Sequence, residues 1–288
     1  MDNLFTAFAL TVFAGMATGI GSLIAFTASR TDFRFLSIST GFSAGVMLYV
    51  SFVEMFPMAL SEMTELKGDE TAYLIATIAF FIGIAVIALI DTLIPSEDNP
   101  HEIHPEHETA PLHESNTWQE LQKHKTRSEQ SKTKLMRTGV FTALAIGIHN
   151  FPEGLATFIS ALNDPQLGMA IAIAVALHNI PEGISVSVPI YYATGSRRRA
   201  FIYSVLSGLA EPIGAIVAYI GIMIMGGADA IQSPMVMGCT LSGVAGIMVY
   251  ISLDELIPAS QSYGKGHDSI IGLIAGMALM AVSLVLMR

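Results

Sequence analysis

The chain has 288 residues, enough for about two soluble domains at ~150 residues each, yet 52% of it is hydrophobic and only 13% is charged, about half the ~25% of an ordinary globular protein. Mean hydropathy is +0.58, and a chain so poor in charge cannot cover a soluble surface, so most of it is expected to face lipid or other buried helices. The net charge of −10 argues against nucleic-acid binding, which needs a basic face, and the single Cys239 excludes a disulfide framework and a cysteine-based metal site.

Runs of about 20 predominantly apolar residues read as membrane-spanning helices. Eight occur, over residues 4–28, 36–60, 71–94, 138–162, 167–192, 200–225, 235–259 and 269–287. The expected fold is therefore an all-α integral membrane protein of eight transmembrane helices. Met1-Asp2-Asn3 lacks the positive n-region of a cleavable signal peptide, so the first span is expected to stay. Gly and Ala recur in the runs, as helices that approach closely in lipid require. No ten-residue alternation marks a membrane barrel.

The charges collect between spans 3 and 4, where residues 96–137 hold 14 of the 38 charged side chains. The first half of this loop is acidic and carries His101, His104, His107 and His113; the second half is basic. Histidine-rich tracts bind metal weakly, and a solvated loop is the bland alternative. Placing the loops after spans 1, 3, 5 and 7 in the cytoplasm puts 12 of the 14 basic residues there. The positive-inside rule then sets both termini outside, in a multi-pass protein of the cell (inner) membrane. Four regions follow: 1–94 with spans 1–3, 95–137 the cytoplasmic loop, 138–192 with spans 4 and 5, and 193–288 with spans 6–8.

The chain also repeats itself. Gly45-Val-Met-Leu-Tyr-Val-Ser-Phe-Val-Glu-Met-Phe-Pro57 of span 2 matches Gly246-Ile-Met-Val-Tyr-Ile-Ser-Leu-Asp-Glu-Leu-Ile-Pro258 of span 7 at six of thirteen positions. The two spans run oppositely in this topology, which predicts an inverted repeat of spans 1–3 and 6–8, common among secondary transporters. Glu54 is then expected near the outer face of the membrane and Glu255 near the inner face, each near its span end.

A second repeat carries the chemistry. Span 4 contains His149-Asn150-Phe-Pro152-Glu153-Gly154 and span 5 contains His178-Asn179-Ile-Pro181-Glu182-Gly183, each in mid-run. Ionisable groups at that depth normally face a cavity or pathway. His at i and Glu at i+4 share one helix face, so both can reach one cation. The Asn side chain, about 100° round, could serve a second ion with its carbonyl oxygen. Pro152 and Pro181 should kink each helix and free the carbonyls of Ile148 and Leu177. Glu211, in Gly208-Leu-Ala-Glu211-Pro212 of span 6, adds a third carboxylate at similar depth. Imidazole with carboxylate suits zinc, iron, cobalt, nickel and manganese better than magnesium or calcium. The alternative, buried polar groups that merely bond one another for packing, explains one such pair better than the same hexapeptide twice. Weaker pathway candidates are Met47, with Met248 as its repeat mate, and Glu54, Asp91 and Glu255; methionine more often fills a core.

On these two motifs, on Gly208-Leu-Ala-Glu-Pro-Ile-Gly214 and on Asp254-Glu255-Leu-Ile-Pro258, the whole chain resembles the ZIP (Zrt-, Irt-like) divalent-metal transporters, in their bacterial branch. The resemblance implies a three-two-three arrangement of helices and a binuclear metal site between spans 4 and 5. His149, Asn150, Glu153, His178, Asn179, Glu182 and Glu211 match family positions and would be its ligands. It also implies import into the cytoplasm of Zn2+ first, with Fe2+, Mn2+, Co2+ and Cd2+ as further cargoes, and a histidine-rich loop that collects or senses the ion. The expected partners are those ions and membrane lipid, without nucleic acid or organic cofactor, and the reading is compatible with a homodimer. Two other functions compete. An intramembrane metalloprotease would need His-Glu-x-x-His, which is absent; a passive channel differs from a carrier in not alternating.

Overall fold

The computed structural model describes residues 3–27, 33–92, 125–226 and 233–287, and among these every element is helical. Span 1 is Leu4–Thr27; span 2 is Phe33–Val50, continued through a π-turn at Ser51–Met55 into Phe56–Lys67; span 3 is Asp69–Thr92. Span 4 is Lys125–Asn163 and span 5 is Pro165–Thr194. Span 6 comes in two pieces, Arg197–Gly208 and Ala210–Met225. Span 7 is Pro234–Ile251, a π-turn at Ser252–Leu256 and Ile257–Tyr263, and span 8 is Asp268–Met287. Seven of the eight meet the length and hydropathy needed to cross a membrane over described residues alone; span 4 contains the apolar run 138–162. The protein is an all-α multi-pass membrane protein. The four histidines at 101, 104, 107 and 113 lie outside the described residues.

Four helices depart from the expected outline, span 4 by starting at Lys125, ahead of the expected 138. Span 2 runs on to Lys67 and span 7 to Ser262, because each absorbs its proline just after a π-turn, where the missing N–H does not stop the helix. Glu54 is thus the eighteenth of the 31 residues of Ser37–Lys67, and Glu255 the twenty-second of the 29 of Pro234–Ser262. Neither sits at a span end. Span 6 is interrupted at Leu209, because Pro212 has no N–H for the carbonyl of Gly208. Pro152 and Pro181, by contrast, lie within unbroken helix.

Close backbone approach sorts the helices. A methyl group on Gly183 would stand 1.9 Å from the carbonyl oxygen of Thr18, and one on Gly21 2.0 Å from that of Ile180, which locks span 1 to span 5. Gly154 against Glu211 and Gly214 against Phe151 lock span 4 to span 6 in the same way. Gly45 lies on Leu273 and Gly276 on Phe42, joining spans 2 and 8; Gly246 on Phe80 and Gly83 on Gly243 join spans 7 and 3. Each contact has a mate when spans 1, 2, 3 and 4 are exchanged for 6, 7, 8 and 5. Spans 1, 4, 5 and 6 thus form one tightly packed set and spans 2, 3, 7 and 8 another. An apolar groove bordered by Ile87, Leu144, Phe151, Leu206 and Ile247 runs between the two sets.

Candidate metal centre

The turn between spans 4 and 5 sets the depth of both motifs. Asn163 ends span 4, the Asp164 carboxylate accepts from the backbone N–H of Gln166 and Leu167, and Pro165 opens span 5. With a single residue between the helices, His149 lies fifteen positions before Asp164 and His178 fourteen after it, so the motifs meet side by side. All seven expected ligands are at most 3% exposed.

Each histidine pairs with the glutamate of the other copy, not with its own i+4 partner. His149 Nε2 stands 2.9 Å from Glu182 Oε1, and His178 Nε2 stands 3.0 Å from Glu153 Oε1. The ring of His178 is oriented by its Nδ1–H, which donates to the carbonyl of Ala174 at 3.1 Å. A carbonyl can only accept, so that nitrogen carries a hydrogen and Nε2 is the one that addresses Glu153. The two asparagines repeat this logic. Asn150 Nδ2 donates to Ser207 O at 3.2 Å and Asn179 Nδ2 to Ala14 O at 3.0 Å, which turns both Oδ1 atoms away from those carbonyls. Asn179 Nδ2 also donates to Glu211 Oε1, bringing in the first turn of the second half of span 6.

What remains is a set of buried oxygens. Asn150 Oδ1, Glu153 Oε2, Asn179 Oδ1, Glu182 Oε2 and Glu211 Oε2 are buried without a hydrogen-bond partner. Five such acceptors in one place are costly unless something positive answers them. The imidazoles and carboxylates are engaged with one another as they stand: among the described residues, no three His, Cys, Asp or Glu form a ready-made ligand cage. A cavity of about 10 Å³, room for one water molecule, borders Glu153 and His178, with Val46, Val50 and Met55 of span 2 and Met248 of span 7 on its other walls.

Of the four pathway candidates, Glu255 joins this centre, its Oε2 lying 3.6 Å from His149 Nδ1. Met47 is wholly buried in the apolar core, and its mate Met248 is the one that borders the cavity. Glu54 is half-buried on the first π-turn, and Asp91 accepts from Tyr250 OH at 3.4 Å. A further internal match relates the backbone carbonyls that anchor the two asparagines. Gly15-Met-Ala17-Thr18-Gly-Ile-Gly21 of span 1 agrees with Gly208-Leu-Ala210-Glu211-Pro-Ile-Gly214 at Gly, Ala, Ile and Gly. Ala14 and Ser207, which anchor the two asparagines, precede its two copies, and Thr18 stands where Glu211 stands.

Sequence comparison bears on the same residues. The profile of the family described as ZIP Zinc transporter matches residues 94–284. The chain is 55% identical over 285 residues to the "Zinc transporter ZupT" of Streptococcus mutans, covering 99% of this chain and 98% of that one. It is 53% identical over 291 residues to the protein of the same name from Clostridium perfringens (99% and 97% covered). It is also 53% identical over 287 residues to that from Oceanobacillus iheyensis (100% of both). These relatives are named as transporters, not enzymes, which closes the metalloprotease alternative. With a profile covering most of its length and relatives of this identity matched end to end, the chain belongs to the ZIP zinc transporter family.

Proposed function

We propose that the protein imports divalent transition-metal ions into the cytoplasm, zinc first, through a centre that holds one or two ions between spans 4, 5 and 6. The single observation that carries this reading is the group of five buried, unanswered oxygens gathered around two crossed His–Glu pairs. Zinc bonds of about 2.0–2.2 Å at tetrahedral angles set N and O donors roughly 3.3–3.6 Å apart. Opening each pair by about half an ångström would therefore seat an ion between imidazole and carboxylate. The relatives' name supports zinc as first cargo; the same donors also suit iron, manganese, cobalt and cadmium. The inverted three-two-three architecture is supported by the mated glycine contacts. Alternating access is supported by the division into two helix sets with a groove between them. The basic residues favour both termini outside.

Uptake of zinc by the purified protein in liposomes tests this reading. The wild type should load the vesicles, and His149→Ala or Glu182→Ala should reduce uptake at least about tenfold at equal abundance, since each strands the remaining buried ligands. Ligands must shed protons to bind metal. Equilibrium affinity should therefore weaken as pH falls from about 7.5 to 5.5, across the ~6.5 of free histidine. An affinity flat over that interval, or uptake by His149→Ala at the wild-type rate, would sink the proposal.

A further inference from the structure

Beyond Glu153, the face of span 4 that leads to the Asp164 turn carries Thr157 and Ser160, at i+4 and i+7, stacked one above another. Both are wholly buried, and neither Thr157 Oγ1 nor Ser160 Oγ makes a hydrogen bond. Ser22 and Ser43 are also buried without a partner, each singly on its span, whereas Thr157 and Ser160 share one face of one helix. Other buried hydroxyls close onto a carbonyl of their own helix, as Thr11 on Ala7, Thr18 on Gly15, Ser51 on Met47, Ser187 on Ile184 and Ser252 on Met248, or onto one of a neighbouring helix, as Ser204 on Thr18 and Ser242 on Ala76. A helical Ser or Thr can make such a bond, so two hydroxyls stacked on one face without it leave their oxygens available to another partner. Glu153 Oε2, at the inner end of the same row, is likewise unanswered.

The row is one-sided. The positions in span 5 that correspond to Thr157 and Ser160 by the hexapeptide repeat are Val186 and Pro189, both apolar. The row's far end reaches exposed polar groups: Asp164, and Asn163, whose amide donates to Glu62 Oε1 at 3.3 Å. Exposed carboxylates at a mouth concentrate cations. Hydroxyl oxygens inside can replace part of an ion's hydration shell without holding it as charged ligands would.

We propose that Thr157 and Ser160 are stepping oxygens for the divalent cation, passing it along span 4 between the Asp164 turn and Glu153. This rests on the metal-carrying role proposed above and adds to it the route on one side of the centre. The two residues are placed as positioning groups on the path, not as ligands of the centre itself. They set how fast an ion reaches Glu153 and not how tightly it is held.

The test uses the full-length protein in liposomes, with zinc alone as probe. Thr157→Val and Ser160→Ala preserve shape and remove only the unpaired hydroxyls, so a merely structural role predicts unchanged or improved folding and unchanged transport. The proposal instead expects the double variant to take up zinc about tenfold more slowly, the scale of one lost coordinating contact. Its equilibrium affinity for zinc should remain within about twofold of wild type, the split that separates a path from a site. Thr157→Ser, which keeps an oxygen, should restore most of the rate lost in Thr157→Val. Wild-type uptake by the double variant overturns the proposal, and so does a fall in affinity that matches the fall in rate. Failure of the wild type itself to bind or carry zinc would overturn the metal-carrying reading on which the route depends.

Discussion

Glu255 reaches His149 Nδ1 at 3.6 Å while Glu182 occupies Nε2 at 2.9 Å, so the two nitrogens of one imidazole face carboxylates from two different spans. A carboxylate behind a metal-ligating imidazole orients the ring and raises its basicity, and its loss typically weakens affinity 10–100-fold. Glu255→Gln should therefore lower zinc affinity by about one to two orders of magnitude, read by equilibrium titration. Unchanged affinity would remove Glu255 from the centre. Gly183 makes a different residue-scale case. The Cβ of an alanine there would meet Thr18 O at 1.9 Å, and backbone cannot step aside as a flexible side chain can. Gly183→Ala should destabilise the protein by about 1–3 kcal/mol through overpacking, seen as a lower unfolding midpoint in detergent. That the six polar motif positions lie together was legible in the sequence because the hexapeptide occurs twice and its place in each span could be counted; Glu211 stood out as a carboxylate in mid-span. The crossing of the pairs was not, because helical spacing says which side chains share a face and is silent on which helix that face meets.

At the scale of elements, the two π-turns show where reading by hydropathy stops. Hydropathy finds spans 2 and 7 but ends them at residues 60 and 259, soon after Pro57 and Pro258. In the structure, the N–H of Phe56 reaches Ser51 O and that of Ile257 reaches Ser252 O, each five residues back. Ser51 and Ser252 in turn donate to Met47 O and Met248 O at 2.8 and 2.7 Å. The widened turn carries the helix across its proline and leaves Glu54 and Glu255 inside their spans and not at the ends. Nothing in residue propensity distinguishes such a turn from ordinary helix, although its double occurrence in a matched thirteen-residue repeat is a signal once the geometry is known. The loop between spans 3 and 4 invites an element-scale prediction. Its sequence is polar and lacks the apolar periodicity that could build a core. Replacing His101, His104, His107 and His113 together by alanine should leave zinc uptake substantial, within about threefold of wild type, as loss of a weak auxiliary tract allows. Loss of transport in that variant, with His149→Ala still active, would overturn the assignment of the centre.

Across the whole molecule, the helices divide into spans 1, 4, 5 and 6 and spans 2, 3, 7 and 8, and the centre lies where the sets face each other. The first set supplies the seven expected ligands, while the second supplies Glu255 and the apolar residues Val46, Val50, Met55 and Met248 beside the small cavity. Neither set is a continuous stretch of chain. Spans 1–3 give one helix to the first set and two to the second, and spans 6–8 do the same, so the division could not be read from domain boundaries along the sequence. If the protein alternates, the sets must move against each other while the glycine-locked contacts inside each set stay closed. Val50 and Val175 line the same cavity from opposite sets, whereas Val46 and Met248 line it from within one set. In a Cys239→Ser background, which removes the native thiol, Val50→Cys with Val175→Cys can be joined by a reducible bifunctional thiol reagent. Uptake should stop on joining and return on reduction, with equilibrium zinc binding retained throughout. The Val46→Cys and Met248→Cys pair, joined in the same way, should continue to transport. Transport that persists with Val50 and Val175 joined would mean that the ion passes without relative movement of the two sets, and the protein would then work as a channel.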